Sequence, residues 1–439
     1  MKRSIFMKVA ICACLFMLLF YSSLNAGDGQ IDILPNGKET LTISQPGSYI
    51  LTDNVTMSAD VSCISITSND VTLDLNGHII TGTDSGSAKG IDSYSTNDIR
   101  IKNGTVTKFG GTGINMGDKS LVEDIKVSLN GGKGISVGNY SSLIRVVAES
   151  NHLDGIAAKS SAMIKDCSAF KNVDSSTGYG IDAGDGSIIT KCISRENGPE
   201  TGTSAYEVCG IKVGNGCSVT GCTVCNNRNH PGSPNSLSGI RTGNYCTIQG
   251  NTCSSNNSTA SGITVYGIRA GTNCIIKENT CSGNIASGEN GISIGILANE
   301  QCELIENICS QNKAGGTGGM GYGIYSDSKG NLIKGNNCSE NVGKATAIGI
   351  FLDWGDSRVD GNLCSGHLGI YGEGYGIVSD NSMSNAIIVN NHLMGNKTAG
   401  IDLANGFHYC GDNIIGDSPS VINTTNSTMG TGDHANIIF

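Results

Sequence analysis

One pattern occurs five times in the second half of the chain, as CTIQGNTCSSN (246–256), CIIKENTCSGN (274–284), CELIENICSQN (302–312), NLIKGNNCSEN (331–341) and SRVDGNLCSGH (357–367). Apolar and polar residues alternate in each copy, which is typical of a β-strand that buries one face. The copies begin 26 to 29 residues apart. Stacked repeats place equivalent residues directly above one another, so each position of the pattern predicts a column of side chains.

A Gly-Ile pair extends the repeat over most of the chain. Its thirteen copies lie 21 to 30 residues apart, with the isoleucine at Ile91, Ile114, Ile135, Ile156, Ile181, Ile211, Ile240, Ile268, Ile296, Ile324, Ile350, Ile377 and Ile401. This interval corresponds to one turn of a three-sided β-coil and is too short for a propeller blade. We therefore expect a solenoid of about thirteen coils, in which 439 residues share one narrow core along a single axis.

Asparagines and cysteines fall into columns of this repeat. The asparagine column contains Asn251, Asn279, Asn307, Asn336, Asn362 and Asn391. Stacked amides can hydrogen-bond along the axis, so we expect a structural role for this column. The cysteines form three columns: Cys253, Cys281, Cys309, Cys338 and Cys364; Cys217, Cys246, Cys274 and Cys302; and Cys167, Cys192 and Cys222. We expect them to replace Ile or Val at inward positions as a mostly reduced, buried stack. Disulfides between cysteines of neighbouring coils are the alternative, because the distance between coils would allow them.

Two further segments, VTLDLNGH (71–78) and IRIKNGTV (99–106), precede the longer coils. Together with the Gly-Ile pairs they resemble the right-handed parallel β-helix of the pectin-lyase-like superfamily, over roughly residues 60–415. The resemblance implies an all-β solenoid with terminal caps. The superfamily includes polysaccharide lyases, glycoside hydrolases, epimerases and members with no known chemistry. The paired aspartates and the Gly-His-Gly segment of polygalacturonases do not occur in this sequence, so the resemblance implies a fold and no single reaction.

The chain divides into four predicted segments. Residues 1–26 have the pattern of a cleaved signal peptide, with basic residues at Lys2, Arg3 and Lys8, an apolar run over 9–21 and small or polar residues over 22–26. Residues 27–60 are expected to form an N-terminal cap, 61–415 the parallel β-helix and 416–439 a C-terminal cap. We therefore expect an exported protein that is secreted, periplasmic or on the cell surface, with no membrane attachment after cleavage.

The charge balance limits the general partners. The whole chain has 28 Lys and Arg against 38 Asp and Glu. Removal of residues 1–26 takes away three positive charges, which leaves 25 against 38, a net charge of −13. Such a balance argues against nucleic acid or an anionic membrane as the general partner. We expect a monomer.

The residue after each isoleucine is expected to point outward. In three adjacent coils this residue is a cation, Lys212, Arg241 and Arg269, and two coils further along Tyr325 and Phe351 continue the column. One interpretation is a strip that binds an anion, extended by two aromatic platforms. The other is a solvated basic strip paired with nearby acidic residues.

A second outward column lies two residues further on. It is glycine at Gly184, Gly214, Gly243 and Gly271, and then becomes Asn299, Asp327, Asp353 and Asp380. Carboxylates in adjacent coils raise one another's pKa, and they can bind Ca²⁺ or divide acid and base roles. Their expected separations, about 5 Å and about 10 Å, are near the two that glycosidases use. The alternative is that Asp is simply favoured where a strand enters a turn. Trp354 is expected either to stack on a sugar ring or to cover this turn.

The coils from Gly180 onward are longer, with the additional residues before each Gly-Ile pair, at 198–209, 228–238, 257–266, 285–294, 313–322 and 368–375. Loops inserted at one place on successive coils build a wall beside a strand face. We therefore hypothesise an exported protein that binds or acts on a polysaccharide, preferably an acidic one, as a lyase or hydrolase. Asp327, Asp353 and Asp380 would be catalytic or hold calcium, while Lys212, Arg241 and Arg269 would hold substrate carboxylates. The alternative is a non-catalytic surface or adhesion protein whose repeats form a stiff spacer.

Overall fold

The structure, a computed structural model, describes residues 29–172, 178–199, 207–229, 236–354, 356–380, 385–403, 407–416, 421–422, 428–431 and 435–438. These residues form strands and turns without any helix, so the described part of the chain has no helix that could span a membrane. Every strand pairing is parallel, and neighbouring strands come from successive coils. The predicted signal peptide lies outside the described residues.

The first face of the solenoid, here called the Gly-Ile face, is a sheet of 16 strands. All thirteen Gly-Ile pairs contribute a strand to it, and three further strands without the pair lie near its ends, at 41–43, 64–66 and 421–422. The prediction of a parallel β-helix is therefore confirmed. The strands are Leu41–Ile43, Ile64–Ile66, Ile91–Ser93, Ile114–Met116, Ile135–Val137, Ile156–Ala158, Gly178–Ala183, Val208–Val213, Leu237–Arg241, Thr264–Ala270, Ile292–Ala298, Met320–Ser326, Thr346–Leu352, Glu373–Ser379, Ala399–Leu403 and Val421–Ile422.

Two further faces belong to one sheet of 31 strands, because Arg100–Thr107 and Leu121–Ser128 each cross from one face to the other. The second face contains Ile31–Ile33, Gly47–Leu51, Val71–Asp74, Ser142–Ile144, Met163–Lys165, Ile188–Thr190, Ser218–Thr220, Thr247–Gln249, Ile275–Lys277, Glu303–Ile305, Leu332–Lys334, Arg358–Asp360, Ile387–Val389, Tyr409–Gly411 and Thr428–Met429. The third contains Val55–Thr56, Ile79–Thr81, Val147–Glu149, Ser168–Phe170, Ile193–Arg195, Thr223–Cys225, Thr252–Ser254, Thr280–Ser282, Ile308–Ser310, Asn337–Ser339, Leu363–Ser365, His392–Met394, Ile414–Ile415 and Ile437–Ile438. Terminal strands pair like inner ones, so the assignment of 27–60 and 416–439 as caps stays a prediction.

The residues inserted before the Gly-Ile pairs form an ordered fourth side. It is a parallel sheet of six two-residue strands: Arg228–Asn229, Asn257–Ser258, Ile285–Ala286, Lys313–Ala314, Val342–Gly343 and Leu368–Gly369. A small apolar core lies beneath it and contains Val208, Leu237, Ala260, Ile263, Val265 and Ala286. The insertions therefore stack in register with the main coils and give the Gly-Ile face a fixed border.

The Gly-Ile pair is explained by close packing in the core. The isoleucines are fully buried; Ile296 and Ile324, for example, are 0% exposed. A Cβ on Gly295 would lie 2.6 Å from the carbonyl oxygen of Gly323 and 3.0 Å from Cβ of Cys309. Only glycine fits between the backbone of the next coil and the interior stack, so the pair marks the same point of every coil.

The asparagine column is a continuous hydrogen-bonded ladder, as predicted. Asn279 Nδ2 donates to Asn307 Oδ1 at 3.0 Å, and Asn307 Nδ2 donates to Asn336 Oδ1 at 2.9 Å and to the carbonyl oxygen of Ile276 at 2.8 Å. A second ladder, not predicted, runs five residues further on through Asn130, Asn151, Asn172, Asn197, Asn227, Asn256, Asn284, Asn312 and Asn341. These ladders satisfy buried turns, where an unpaired amide would be costly.

The cysteine columns are buried and in register, but their chemistry differs. Cys253, Cys281, Cys309, Cys338 and Cys364 pair from coil to coil and are 0% exposed. This column replaces apolar residues such as Val224, as predicted. The other two columns are also buried in the main core, and Cys167 continues a column of Ile125 and Val146, as predicted. These two columns lie at turns. At these turns the sulfur accepts a hydrogen bond from a backbone N–H of the preceding coil, as Cys246 Sγ does from Cys217 at 3.4 Å. The cysteine is therefore a hydrogen-bond acceptor, as serine or asparagine would be.

Replacing Cys309 by Ser is expected to destabilise the protein by roughly 1–3 kcal/mol, because a hydroxyl enters an apolar stack. The matched control is Cys225→Ser, since Cys225 is the one partly exposed cysteine of the described residues. Urea unfolding of both variants measures the difference. Rapid thiol labelling of Cys309 in the folded protein would contradict the inward assignment.

Candidate functional site

The basic column lies on the Gly-Ile face as expected. Asp182, Lys212, Arg241 and Arg269 are paired in register across four adjacent coils. The side chains of the three cations are 33–39% exposed. The alternation of buried isoleucine and outward cation therefore puts three positive charges side by side on one accessible surface.

Acidic residues partly neutralise this column. Lys212 Nζ lies 3.4 Å from Asp182 Oδ1, and Arg241 forms an ion pair with Glu207, which also lies 3.6 Å from Arg269. Three cations thus face two carboxylates, which leaves one positive charge. The pKa of the Arg241 guanidinium is lowered by its burial and by the neighbouring Arg269. The column is therefore paired, as one interpretation held, but it keeps unshared guanidinium donors.

Rings on the same face lie against two of these cations. Lys212 Nζ lies 4.4 Å from the ring centroid of Tyr179, and the guanidinium of Arg269 lies 5.4 Å from that of Tyr266. Both tyrosines belong to a Tyr-Gly-Ile triplet that recurs at Tyr179, Tyr266, Tyr322 and Tyr375. That triplet was a sequence signal for an aromatic column beside the cations, and the sequence analysis missed it.

A groove of about 390 Å³ crosses the Gly-Ile face between the basic and the acidic segments. It brings together Arg269, Tyr325 and Asp327 of the predicted site. Tyr266, Leu297, Asn299 and Tyr322 also line the groove. Lys212 borders a separate hollow of about 440 Å³, with Asp182, Gly184 and Gly214. The predicted residues are therefore distributed over one continuous face, with the groove at its centre.

The aromatic floor of the groove is a packed cluster outside the main core. Ring centroids are 5.3 Å apart for Tyr322 and Tyr325, and 4.9 Å apart for Tyr325 and Phe351. Phe351 is only 8% exposed. It was predicted as a platform for substrate, but it packs beside the two tyrosines and is about as buried as Tyr322, so that Tyr325 is the most exposed ring of the three. Such tilted ring pairs stabilise one another and fix the ring orientation.

The acidic column is also in register. The backbone N–H groups of Asp327, Asp353 and Asp380 donate to the preceding coil at 3.0, 3.0 and 3.1 Å. One carboxylate therefore stands on each of three adjacent coils, about 4.8 Å apart along the axis. Asp353 accepts a hydrogen bond from the hydroxyl of Tyr325 at 3.2 Å. This bond joins the acidic column to the aromatic floor.

Burial is the largest cause of a raised pKa at Asp353, and the negative charges of Asp327 and Asp380 raise it further. The hydrogen bond from Tyr325 opposes this effect without cancelling it. The pKa of Tyr325 is raised by burial and by the same carboxylate, and burial raises the pKa of Tyr322 to about 12. The middle carboxylate therefore keeps its proton to a higher pH than an exposed aspartate does, which suits a general acid.

The acidic column is glycine in the earlier coils, and it changes to Asn and Asp where a series of side-chain caps at the neighbouring turn ends. In earlier coils a side-chain oxygen caps the next turn, as Asn215 Oδ1 does for the N–H of Asn244 at 2.8 Å. A Cβ on Gly243 would lie 2.5 Å from that oxygen, which explains the glycine. The last such bond joins Asn244 Oδ1 to the N–H of Thr272 at 2.9 Å.

Among the described residues, Asp327 and Asp353 do not take over this capping role. Within the described residues, the Asp327 carboxylate has no hydrogen-bond or ion-pair partner, and the partner of the Asp353 carboxylate is a tyrosine rather than a turn. The interpretation that Asp is simply favoured at a turn therefore does not explain Asp327 or Asp353. Trp354 follows directly and is 55% exposed. It does not cover the turn closely, and its ring is available from solvent.

Calcium binding by Asp327, Asp353 and Asp380 stays a prediction. In the part of the chain that the structure describes, no three His, Cys, Asp or Glu side chains come together as a metal-binding group. The sequence analysis also missed Glu207, because it lies in an insertion whose path the repeat does not specify.

No protein-family model matches the chain, and no curated protein matches it. Among solved structures, the A-module of mannuronan C-5 epimerase AlgE6 from Azotobacter vinelandii aligns at 15% identity, over 90% of this chain and 92% of that one, with a TM-score of 0.36. The AlgE4 A-module from the same organism aligns at 11% identity, over 92% and 91%, with a TM-score of 0.31. Dettilon tailspike protein aligns at 14% identity over 93% of this chain and 60% of that one, with a TM-score of 0.26. Alignments with identities and TM-scores this low do not indicate a function for this chain.

Proposed function

We propose that the protein binds a linear acidic polysaccharide along the Gly-Ile face and cleaves it beside Tyr325 and Asp353. One observation carries this proposal: a single groove combines Arg269, an aromatic floor and the carboxylate of Asp327, with the protonatable Asp353 at its edge. An open groove with rings and a few convergent polar groups suits part of a chain of sugars.

Binding would depend on the cations. Arg241 and Arg269 share one carboxylate, Glu207, so a guanidinium with five donors keeps N–H groups for a sugar carboxylate. Tyr266 and Tyr325 are partly exposed, line the groove and offer apolar surface to a sugar. A neutral polysaccharide would gain only the second of these contacts, which is why an acidic one is favoured.

Cleavage would use two carboxylates of adjacent coils. Their spacing along the axis is about 4.8 Å, near the separation of about 5–5.5 Å in glycosidases that retain anomeric configuration. Asp353, with its raised pKa, is the candidate general acid, and Asp327 is the candidate nucleophile, the role of the second carboxylate in such enzymes. A lyase would instead remove a proton beside a sugar carboxylate and leave an unsaturated end. Incubation with polyuronates, followed by measurement of unsaturated and of reducing ends, distinguishes the two reactions.

The same carboxylates could serve calcium instead. Ca²⁺ prefers six to eight oxygen ligands, and three carboxylates on adjacent coils would supply part of that set. The raised pKa of Asp353 favours the acid/base use, since a calcium ligand has to be ionised. We further propose export, on the basis of the predicted signal peptide over 1–26.

Replacing Arg241 and Arg269 together by Ala is expected to weaken binding of an acidic polysaccharide by at least tenfold, because the remaining cation of the column is paired with Asp182. Wild-type binding should also weaken as salt rises, since the guanidinium groups are accessible and screened. Isothermal titration calorimetry over a salt series measures both effects.

The matched control is Lys277→Ala with Arg358→Ala, which removes two charges from the second face. The control should leave both affinity and salt dependence unchanged. Equal losses in the two double variants would assign the effect to net charge and not to the groove. Unchanged binding in the first variant would favour the spacer interpretation.

A further inference from the structure

Exposed aromatic side chains are concentrated along one edge of the solenoid. Among the described residues, six aromatic side chains are more than half exposed. Five of them lie between a Gly-Ile strand and the strand that follows it, three to six residues after the isoleucine, and we call them the turn aromatics: Tyr94 (60%), Tyr140 (68%), Tyr245 (68%), Trp354 (55%) and Phe407 (67%). The sixth, Tyr371, precedes its strand and lies on the opposite edge. One edge of the described solenoid therefore carries five of these six exposed rings.

The fold does not need aromatic residues in this turn. Tyr140 and Tyr245 each stand five residues after the isoleucine, with φ of 58° and 59°. This left-handed conformation disfavours bulky side chains. Other coils place a small or polar residue at the same point with the same backbone, at Lys119, Ser161, Asn273 and Gln301. The two tyrosines therefore stand at positions where the backbone conformation disfavours a bulky side chain.

The turn aromatics are spaced by even numbers of coils. The register of the Gly-Ile strands puts Tyr140 two coils after Tyr94, Tyr245 four coils later, Trp354 four coils after that and Phe407 two more. With about 4.8 Å per coil, the coils that carry these residues are about 10, 19, 19 and 10 Å apart, and the whole series spans nearly 60 Å. In an extended sugar chain with near two-fold symmetry, every second unit presents the same ring face.

We propose that the turn aromatics form a rail that holds a long polysaccharide chain by stacking on alternate sugars. This inference rests on the proposed function and names the substrate class more closely: a linear, extended acidic polymer of about a dozen units, each roughly as long as one coil is high. Charge supports the same occupant. Lys159 Nζ lies 5.4 Å from the ring centroid of Tyr94, and Lys159 and Lys212 border one hollow beside the rail.

The experiment compares long and short fragments of a polyuronate, of about twelve and about four sugars, which reach the rail and only the groove respectively. The variant is Tyr140→Asn with Tyr245→Asn, because asparagine already occupies this turn at Asn273. The control is Tyr371→Asn on the other edge. We expect the double variant to lose at least tenfold in affinity for the long fragment and less than twofold for the short one, with an unchanged melting temperature. The control should change neither.

Unchanged affinity for the long fragment in the double variant, with wild-type binding intact, would overturn the rail and leave the groove standing. Equal losses for both lengths would overturn it as well. If the wild type binds neither fragment, the proposed function and the rail fail together. Trp354→Ala provides a second route to the same comparison, since its ring lies four coils from Tyr245.

Discussion

Replacing Asn307 by Ala is expected to lower the free energy of unfolding by about 3–5 kcal/mol, since several buried groups lose a partner at once. The change removes the acceptor of the backbone N–H and of the side-chain Nδ2 of Asn279, both at 3.0 Å. It also removes the donor to the carbonyl oxygen of Ile276 and to Asn336 Oδ1. Chemical unfolding followed by circular dichroism measures the change.

The matched control for this change is Gln311→Ala in the same coil. Its amide Nε2 donates to Glu340 at 2.9 Å, but on the exposed surface. We expect a loss below about 0.5 kcal/mol, as for most surface substitutions. A similar loss for the two variants would mean that the ladder contributes no more than a surface hydrogen bond does.

Replacing Asp353 by Asn is expected to reduce kcat by about 100-fold or more, the usual contribution of a general acid. Asparagine has the same shape and still accepts the hydrogen bond from Tyr325, so affinity should hold. Steady-state kinetics on the preferred polyuronate measure both parameters. Asp166→Asn, at an exposed turn on another side, is the control and should change neither.

The pH dependence gives a second test of the same assignment. A general acid must be protonated, so wild-type turnover should fall as pH rises through the pKa of Asp353. Because burial and two carboxylates raise that pKa, the fall should begin at a higher pH than for an exposed aspartate. Asp353→Asn should lose this limb. If a chelator abolishes turnover and Ca²⁺ restores it, the carboxylates hold calcium and the acid role is wrong.

The fold followed from the sequence because a parallel solenoid turns periodicity into position. The Gly-Ile pairs marked one point of every coil, and the register of Ile296 with Ile324 and Ile350 follows directly. The columns of Arg241 and Asp353 were therefore placed on the correct face. The second asparagine ladder was not predicted, although its rungs from Asn256 to His367 are the last residues of the five quoted copies, because only the first asparagine of each copy was treated as a column.

The sequence predicted only part of the site, because contacts between side chains of different columns do not repeat from coil to coil. Glu207 comes from an insertion, and nothing in the repeat indicates that it pairs with Arg241. The difference between Phe351, which is buried, and Tyr325, which reaches Asp353, depends on how rings pack across the face. The two cysteine columns at turns were predicted as buried, but the hydrogen bonds that their sulfurs accept were not, because a buried sulfur was treated only as an apolar group.

The two asparagine ladders also determine where the gene can tolerate insertions. Asn251 and Asn256, Asn279 and Asn284, and Asn307 and Asn312 are each five residues apart. An added codon between two such rungs would displace one amide from its neighbours in the coils on either side, so this part of each coil cannot change length alone. The side that precedes the Gly-Ile pair carries neither ladder, and there the coils differ in length. Selection can therefore lengthen the border of the groove coil by coil while the opposite side of the solenoid stays in register.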